Sequence, residues 1–377
     1  MFNQQKMVGR ILSNVTDTQV IYDDRCVFLK HKKPVCKLCI TYCPTDAIIL
    51  NRINKRISID PDKCVDCGIC AAVCPTEVFK PTNFNDQKLF NRGKPILEAG
   101  QNLEIRCEQI CEEGQPDHVV RVNCLGSIHQ AHLLGLIALG AKDLHFRHGN
   151  CDSCAVKFGS ELITRTIQDV TTLIRPFPEL VDINLTSSDK PADYPLSVNI
   201  PDDLPKNDQY TEKISRREFL TSLIKKGQYS VAYSLNMALR DENQAAKKRN
   251  KTKKYLPAKR KLMLTAFKNF DHPEDLTIDS ADLTGITDLE IISDQCSVCP
   301  TCANLCPTGA LSRTDTKDKR GNVMDATLFF NASHCTKCGL CIIGCFTNAV
   351  HYKDQLHIRS FLSESPRILQ DKNQEIL

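Results

Sequence analysis

Between residues 101 and 175 the apolar positions recur first at a strand period and then at a helical one. The runs "NLEIRC" (102–107) and "HVVRVNC" (118–124) predict two short strands. "SIHQAHLLGLIAL" (127–139) follows as a helix, with Ser127 as its cap and Gly140 as its stop. "KDLHFRHG" (142–149) predicts another strand, and "CAVKFGSELITRTIQDVTTLI" (154–174) sets Val156, Ile163, Ile167, Val170 and Ile174 at helical spacing. Alternating strands and helices imply a small α/β domain with a parallel sheet. Leu133 and Leu136 then belong to its core. The stretch from Cys111 to His118 is short for a parallel crossover.

Elsewhere the pattern weakens. Residues 176–213 are rich in Pro, Asp, Asn and Ser and read as a linker or an extended wrap. Ser215 and Glu218 form a capping box that opens an amphipathic helix. Residues 240–261 hold ten Lys or Arg against two acids, read as a solvated loop, with a docking surface for an acidic partner as the alternative. The longest apolar stretch near the middle, Leu133 to Ala141, is nine residues, against the roughly 20 that a membrane span needs. The first twenty residues show no secretion signal. With 49 basic and 45 acidic residues, no strong nucleic-acid or membrane field arises.

Composition changes the picture through cysteine. The 377 residues hold 21 cysteines and no tryptophan, and x₂ and x₃ spacings favour metal thiolates over disulfides. A reducing, cytoplasmic setting is expected. Four segments rhyme: "CPTDAI" at Cys43, "CPTEVF" at Cys74, "CPTGAL" at Cys306 and "CFTNAV" at Cys345. Each end of the chain therefore carries a duplicated unit. Near the C-terminus, Cys296, Cys299, Cys302 and Cys306 have the C-x₂-C-x₂-C-x₃-C-P spacing; Cys335, Cys338, Cys341 and Cys345 repeat it with Phe346 in place of proline.

These runs resemble bacterial two-cluster [4Fe–4S] ferredoxins, in which the fourth cysteine of each run ligates the other cluster. Carried over, one C-terminal cluster takes Cys296, Cys299, Cys302 and Cys345, and the other Cys335, Cys338, Cys341 and Cys306. At the N-terminus Cys64, Cys67 and Cys70 pair with Cys43. The remaining set, Cys36, Cys39 and Cys74, is one ligand short, because Lys33 stands where a cysteine is due. Cys26 is the candidate fourth ligand; the alternatives are a [3Fe–4S] centre or a non-cysteine ligand. Lys30, Lys32 and Lys33 would favour the reduced form of this cluster unless they face water.

The remaining cysteines, Cys107, Cys111, Cys124, Cys151 and Cys154, lie in the middle. Cys107, Cys124 and Cys151 end predicted strands, and the carboxyl ends of parallel strands form a crevice where ligands gather. Five centres of four ligands leave one cysteine over, Cys107 or Cys111. "RCEQIC", "VNCLGSI", "LLGLIALGAKDL" and "HGNCDSC" resemble, in that order, the iron–sulfur delta subunit of methyl-viologen-reducing hydrogenase that serves heterodisulfide reductase. That resemblance implies a [2Fe–2S] cluster passing electrons between subunits; the tighter x₂ of the last motif leaves [4Fe–4S] and zinc open. His129, His132 and His148 read as surface or satisfied histidines.

The expected architecture is two α+β ferredoxin-type modules, each binding two clusters, flanking a small α/β parallel-sheet domain. Boundaries fall at 1–95, 101–182, a linker with basic amphipathic helices at 183–265, 280–358 and a tail at 359–377. No G-x-G-x-x-G after a strand and no P-loop is visible. The expected function is a multi-cluster relay of single electrons between a catalytic oxidoreductase subunit (a molybdenum or tungsten enzyme, a hydrogenase or a flavoprotein) and a further redox partner, with soluble ferredoxin as one candidate. The alternatives are chemistry on a disulfide or sulfur species at the central cysteines, or a zinc-containing docking scaffold. Both ends are expected to need their clusters to fold.

Overall fold

The computed structural model describes residues 19–33, 36–82, 86–108, 110, 118–189, 254–271 and 275–372. All belong to one structural unit, Thr16–Pro195 with Lys254–Leu377. The capping box at Ser215 and most of the basic run lie outside the described residues.

The N-terminal module consists of two antiparallel strand pairs. β1 (Gln19–Ile21) pairs with β4 (Phe79–Pro81), and β2 (Ile48–Asn51) with β3 (Arg56–Ile59). Two short helices, Leu38–Thr41 and Ile69–Val73, run between the cysteine loops. Their brevity follows from the sequence, since each run must turn out of its helix to deliver its last cysteine. The duplication is visible in the backbone. Asp46, Glu77, Gly309 and Asn348, each three residues after its rhyming cysteine, all adopt the left-handed conformation.

The central sheet has the order β6-β5-β7-β8 and is parallel throughout. Its strands are β5 (Leu103–Cys107), β6 (Val119–Val122), β7 (Asp143–Arg147) and β8 (Asn184–Ser188). β5 is buried at every position, and its two charges, Glu104 and Arg106, pair at 2.6 Å with 3% of each side chain exposed. The short link between β5 and β6 thus joins neighbouring parallel strands. β8 corrects the linker reading of residues after 183. Its sequence "NLTSS" is polar because it is an edge strand, mostly half-buried, so no apolar signal marks it.

Helices Asp86–Glu98, Gln130–Ala138 and Gly159–Ile174 cover this sheet. Leu89 and Ile96 of the first lie in the same core as β5 and β7, so that helix belongs with the central sheet and not with the N-terminal module. The second is buried on almost every side. A Cβ at Gly135 would come within 2.7 Å of the Phe90 ring, so glycine permits that approach. Ser127 is not the helix cap: it lies in the turn Leu125–Ser127 and donates from its hydroxyl to the Cys124 carbonyl at 2.7 Å. Gly140 does end the helix region with a φ of 97°. The last predicted helix begins at Gly159, five residues later than its periodicity suggests, because Cys151–Phe158 forms a loop.

A fourth helix, Ala258–Phe267, packs on Gln130–Ala138. This too departs from the linker and solvated-loop readings: Arg260 is only 4% exposed, and Phe267 stacks between Phe177 of the central domain (5.6 Å) and Phe361 (5.5 Å).

The C-terminal module repeats the first with additions. β10 (Asp288–Ile291) pairs with β13 (Val350–Lys353), and β11 (Leu311–Lys317) with β12 (Val323–Phe330). β9 (Thr277–Asp279) pairs with β14 (Gln355–His357). β15 (Arg367–Asp371) adds a third strand beside β12, so the expected tail is structured; Arg367 anchors it by donating to Asp288 at 2.7 Å. Among the described residues no helix is long and apolar enough to cross a membrane.

Candidate metal centres

In the C-terminal module the two runs fold alike. Val298 and Lys337, each two residues after the first cysteine of its run, have φ of 51° and 50°. That conformation costs a β-branched residue such as Val298 about 1–2 kcal/mol, which the loop must impose. The turns gather Cys306, Cys335, Cys338 and Cys341 around a cavity of about 20 Å³. Cys302 lies within electrostatic reach of Cys296, Cys299 and Cys345, and burial pushes its thiol up to about 12.

The N-terminal module gathers its cysteines from an unequal sequence. Cys43, Cys64, Cys67 and Cys70 line a cavity of about 20 Å³, with Asp66 supplying the left-handed turn. The corresponding turn position in the run that lacks its first cysteine lies outside the described residues, and Cys26 approaches that run from an earlier turn. It is 7% exposed at the start of helix Val27–Lys30, where burial and the charges of Cys74 and Cys36 push its thiol up to about 11. Cys39 in turn feels Cys74, Cys26 and Cys36. The turn carrying Cys26 is pinned by Asp23, which accepts from the Ile57 backbone N–H (2.8 Å) and pairs with Arg56 (3.3 Å). Of the nearby lysines, Lys32 and Lys33 are exposed, while half-buried Lys30 is within reach of Cys26.

In the middle, Cys107, Cys124, Cys151 and Cys154 line one cavity of about 10 Å³, with His148 at its edge. Cys111 lies outside the described residues. The Gly126 N–H donates to Cys124 Sγ and the Val156 N–H to Cys154 Sγ, both at 3.4 Å. Gly159 completes the cradle: a Cβ there would sit 2.9 Å from Cys124 Sγ and 3.5 Å from Cys151 Sγ. His132 is satisfied, its Nε2 3.0 Å from Asp86 Oδ1 and its ring stacked on His129 at 3.7 Å. His148 has its Nδ1 2.9 Å from the Gly149 carbonyl.

The donor sets fit iron–sulfur groups. None of the described cysteines forms a disulfide. Four buried sulfurs facing one another cannot all ionise without a compensating cation, and metal binding would release their protons. Hydrogen bonds already point at the sulfurs: Ala47 and Val78 donate their N–H groups to Cys43 and Cys74 at 3.3 Å. The threonine hydroxyl of each rhyming segment also lies within hydrogen-bond distance of a sulfur, with either atom able to donate. Thr45, Thr76, Thr308 and Thr347 lie 3.9, 3.8, 3.6 and 3.4 Å from the sulfur two residues before. Sequence reasoning noted the rhyme and missed this role, although the repeated Thr was its signal.

The pockets also fall in a row. Cys124 feels Cys67, so the central pocket neighbours the Cys43/Cys64/Cys67/Cys70 pocket. Cys70 feels Cys39, linking that pocket to the one holding Cys26. Cys338 feels Cys36, which crosses from the N-terminal module into the C-terminal one. Cys341 feels Cys302, reaching the last set. Small residues allow the first junction. A Cβ on Gly126 would come within 2.9 Å of Ile69, one on Gly68 within 2.9 Å of Ser127, and Asn123 donates to the Asp66 carbonyl at 3.0 Å.

Residues 13–78 and 285–349 both match the family described as the 4Fe-4S dicluster domain. The chain is similar to a ferredoxin of Rickettsia felis, 30% identical over 78 residues, which are 21% of this chain and 65% of that protein. It is also similar to the protein named ferredoxin 7Fe of Hydrogenibacillus schlegelii, 41% identical over 46 residues, 12% of this chain and 56% of that one. A further match, 41% over 46 residues, is to the indolepyruvate oxidoreductase subunit IorA of Thermococcus kodakarensis, covering 12% of this chain and 7% of that subunit. The chain thus spans under two thirds of the length of each of these relatives. No solved structure matches. Ferredoxin-type 4Fe-4S domains therefore flank a central region built on a parallel sheet, and domains of this type imply electron transfer.

Proposed function

We propose that the protein is an electron-transfer subunit holding five iron–sulfur centres in a row, relaying single electrons between a catalytic oxidoreductase subunit and a second redox partner. The observation that carries this reading is the packing of neighbouring cysteine sets. Cys67 packs with Cys124 and Cys154, and Cys26, Cys39 and Cys74 share an apolar cluster with Cys43, Cys64 and Cys70. Cys36, Cys74 and Cys338 line one cavity, and C-terminal cysteines of both runs share one core. Clusters held by four thiolates accept and release one electron at a time, at potentials set by charge, hydrogen bonds and exposure. The chain's own part is to orient the sulfurs, keep water from them and bring neighbouring sites close.

Cys26, Cys36, Cys39 and Cys74 hold one cubane, and Cys43, Cys64, Cys67 and Cys70 the second. Cys335, Cys338, Cys341 and Cys306 hold the third, and Cys296, Cys299, Cys302 and Cys345 the fourth. Cys107, Cys124, Cys151 and Cys154 hold the central group, leaving Cys111 over. The likeness to the hydrogenase delta subunit favours a [2Fe–2S] group there.

Anaerobically purified protein is expected to contain about 18 iron atoms per chain with a two-iron central group, or about 20 with a cubane there. Far fewer than about 16 would contradict the four cubanes. Anaerobic pull-down from the native host is expected to recover a catalytic oxidoreductase subunit. Recovery of the protein alone, with turnover of disulfide or polysulfide, would favour chemistry at the central cysteines instead.

A further inference from the structure

Two lysines five residues apart reach into both terminal modules. Lys259 Nζ donates to the backbone carbonyls of Ala71, Ala72 and Cys74 at 2.8, 2.9 and 2.9 Å. Three acceptors around one nitrogen need three N–H donors, which only the ammonium form has. These carbonyls close helix Ile69–Val73, the end where backbone dipoles are negative. Lys254 repeats the arrangement in the other module. Its Nζ donates to the carbonyls of Ala303 and Cys306, both at 2.6 Å, at the end of helix Thr301–Leu305. Beside Lys259 in sequence, Arg260 donates to the carbonyls of Gly285 and Cys335. Lys30 lies within electrostatic reach of Cys26 and Cys306.

Cys74, Cys306 and Cys335 therefore each carry a cation on their own carbonyl. They belong to the two pockets that face each other across the module junction, where Cys338 feels Cys36. We propose that the 254–260 strap is a redox-tuning element that raises the potentials of these two inner clusters, so that electrons collect at the junction and not at the ends of the row. This rests on the five-centre reading above.

The physical basis is charge. Reducing a cluster by one electron adds one negative charge to it, and a fixed positive charge beside a ligand stabilises that form, more strongly at buried Arg260 and half-buried Lys259 than at exposed Lys254. Glu77 works in the opposite sense. Its carboxylate accepts from the Tyr255 hydroxyl (2.5 Å) and from the backbone N–H groups of Ala258 (2.8 Å) and Lys259 (2.5 Å). It is thus turned to the start of helix Ala258–Phe267, whose N-terminus holds its charge. Asp86 also lies within reach of Lys259. Neither carboxylate touches a ligand of the cluster, whereas the lysine bonds one directly. Removing the lysine leaves both carboxylates behind, which adds to the expected shift.

The test is a potentiometric titration of the full chain followed by EPR, with iron counted on the same samples, for wild type, Lys259→Met and Lys259→Arg. In wild type the first signals to appear on reduction are expected from the inner clusters. Lys259→Met is expected to move one of them to more negative potential with the later signals unmoved, and Lys259→Arg to restore it. Full iron with unmoved potentials overturns the tuning role, whereas a wild-type chain short of iron overturns the underlying reading instead. If Lys259→Met sheds iron or fails to fold, Lys254→Met decides, since its residue is exposed and makes two such bonds. A smaller negative shift at intact iron content supports the proposal, and no shift overturns it.

Discussion

In the C-terminal module Cys335, Cys338 and Cys341 come from a single loop, whereas in the N-terminal module Cys36 and Cys39 are joined by Cys26 from a separate turn ten residues earlier. The two modules otherwise share strand pairing, short helices and left-handed residues at matched positions. Cysteines of both runs gather in each module, and in the N-terminal one Cys26 joins them from outside the run. Both loops are held from outside: the C-terminal one by Arg260 on the Cys335 carbonyl and by Lys337 on the carbonyls of Ser280, Ala281 and Leu283, the N-terminal donor by Asp23, Arg56 and Ile57.

The sharpest way to break this comparison is Cys26→Ser. It is expected to convert one cubane to a three-iron centre, with loss of about one iron and a new EPR signal in the oxidised protein. Adding Lys33→Cys, which completes the run, is expected to return the iron. If Cys26→Ser matches wild type in iron and EPR, Cys26 is not a ligand. Gly159→Ala breaks the comparison at the central site, because its methyl group would press on Cys124 Sγ. The central group is expected to be lost, about two irons, with the four cubanes intact; full iron would contradict the cradle. Phe267→Ala leaves every ligand in place but removes the ring between Phe177 and Phe361. Denaturant unfolding of the holoprotein is expected to show a loss of about 3–5 kcal/mol. Smallest of all, Phe346→Pro restores the usual proline after Cys345 at a residue 71% exposed. Its iron content should not change.

Much of this organisation was legible in the cysteines, because metal ligation demands fixed spacings that composition cannot hide. The central strands and helices were legible from periodicity, since β5–β7 and the helices Gln130–Ala138 and Gly159–Ile174 bury apolar faces. Several elements were not, β15 in the expected tail and helix Asp86–Glu98 among them. β8 is a polar edge strand whose place depends on β7, and helix Ala258–Phe267 follows a run of positive charge that masks the apolar face of Met263, Ala266 and Phe267. The burial of Arg260 and the bonds of Lys259 had no local signal at all. Their partners are carbonyls far away in sequence, such as those of Cys74 and Cys335.

The central claim is that the two terminal modules belong to one conducting row, joined where Cys338 meets Cys36. Pulsed EPR on the fully reduced, full-length protein tests it most directly, by reading the magnetic coupling between clusters. Coupling that joins spins of the N-terminal pair to spins of the C-terminal pair, and weakens on Cys26→Ser, is the expected result. A spectrum equal to the sum of two independent cluster pairs would contradict the row.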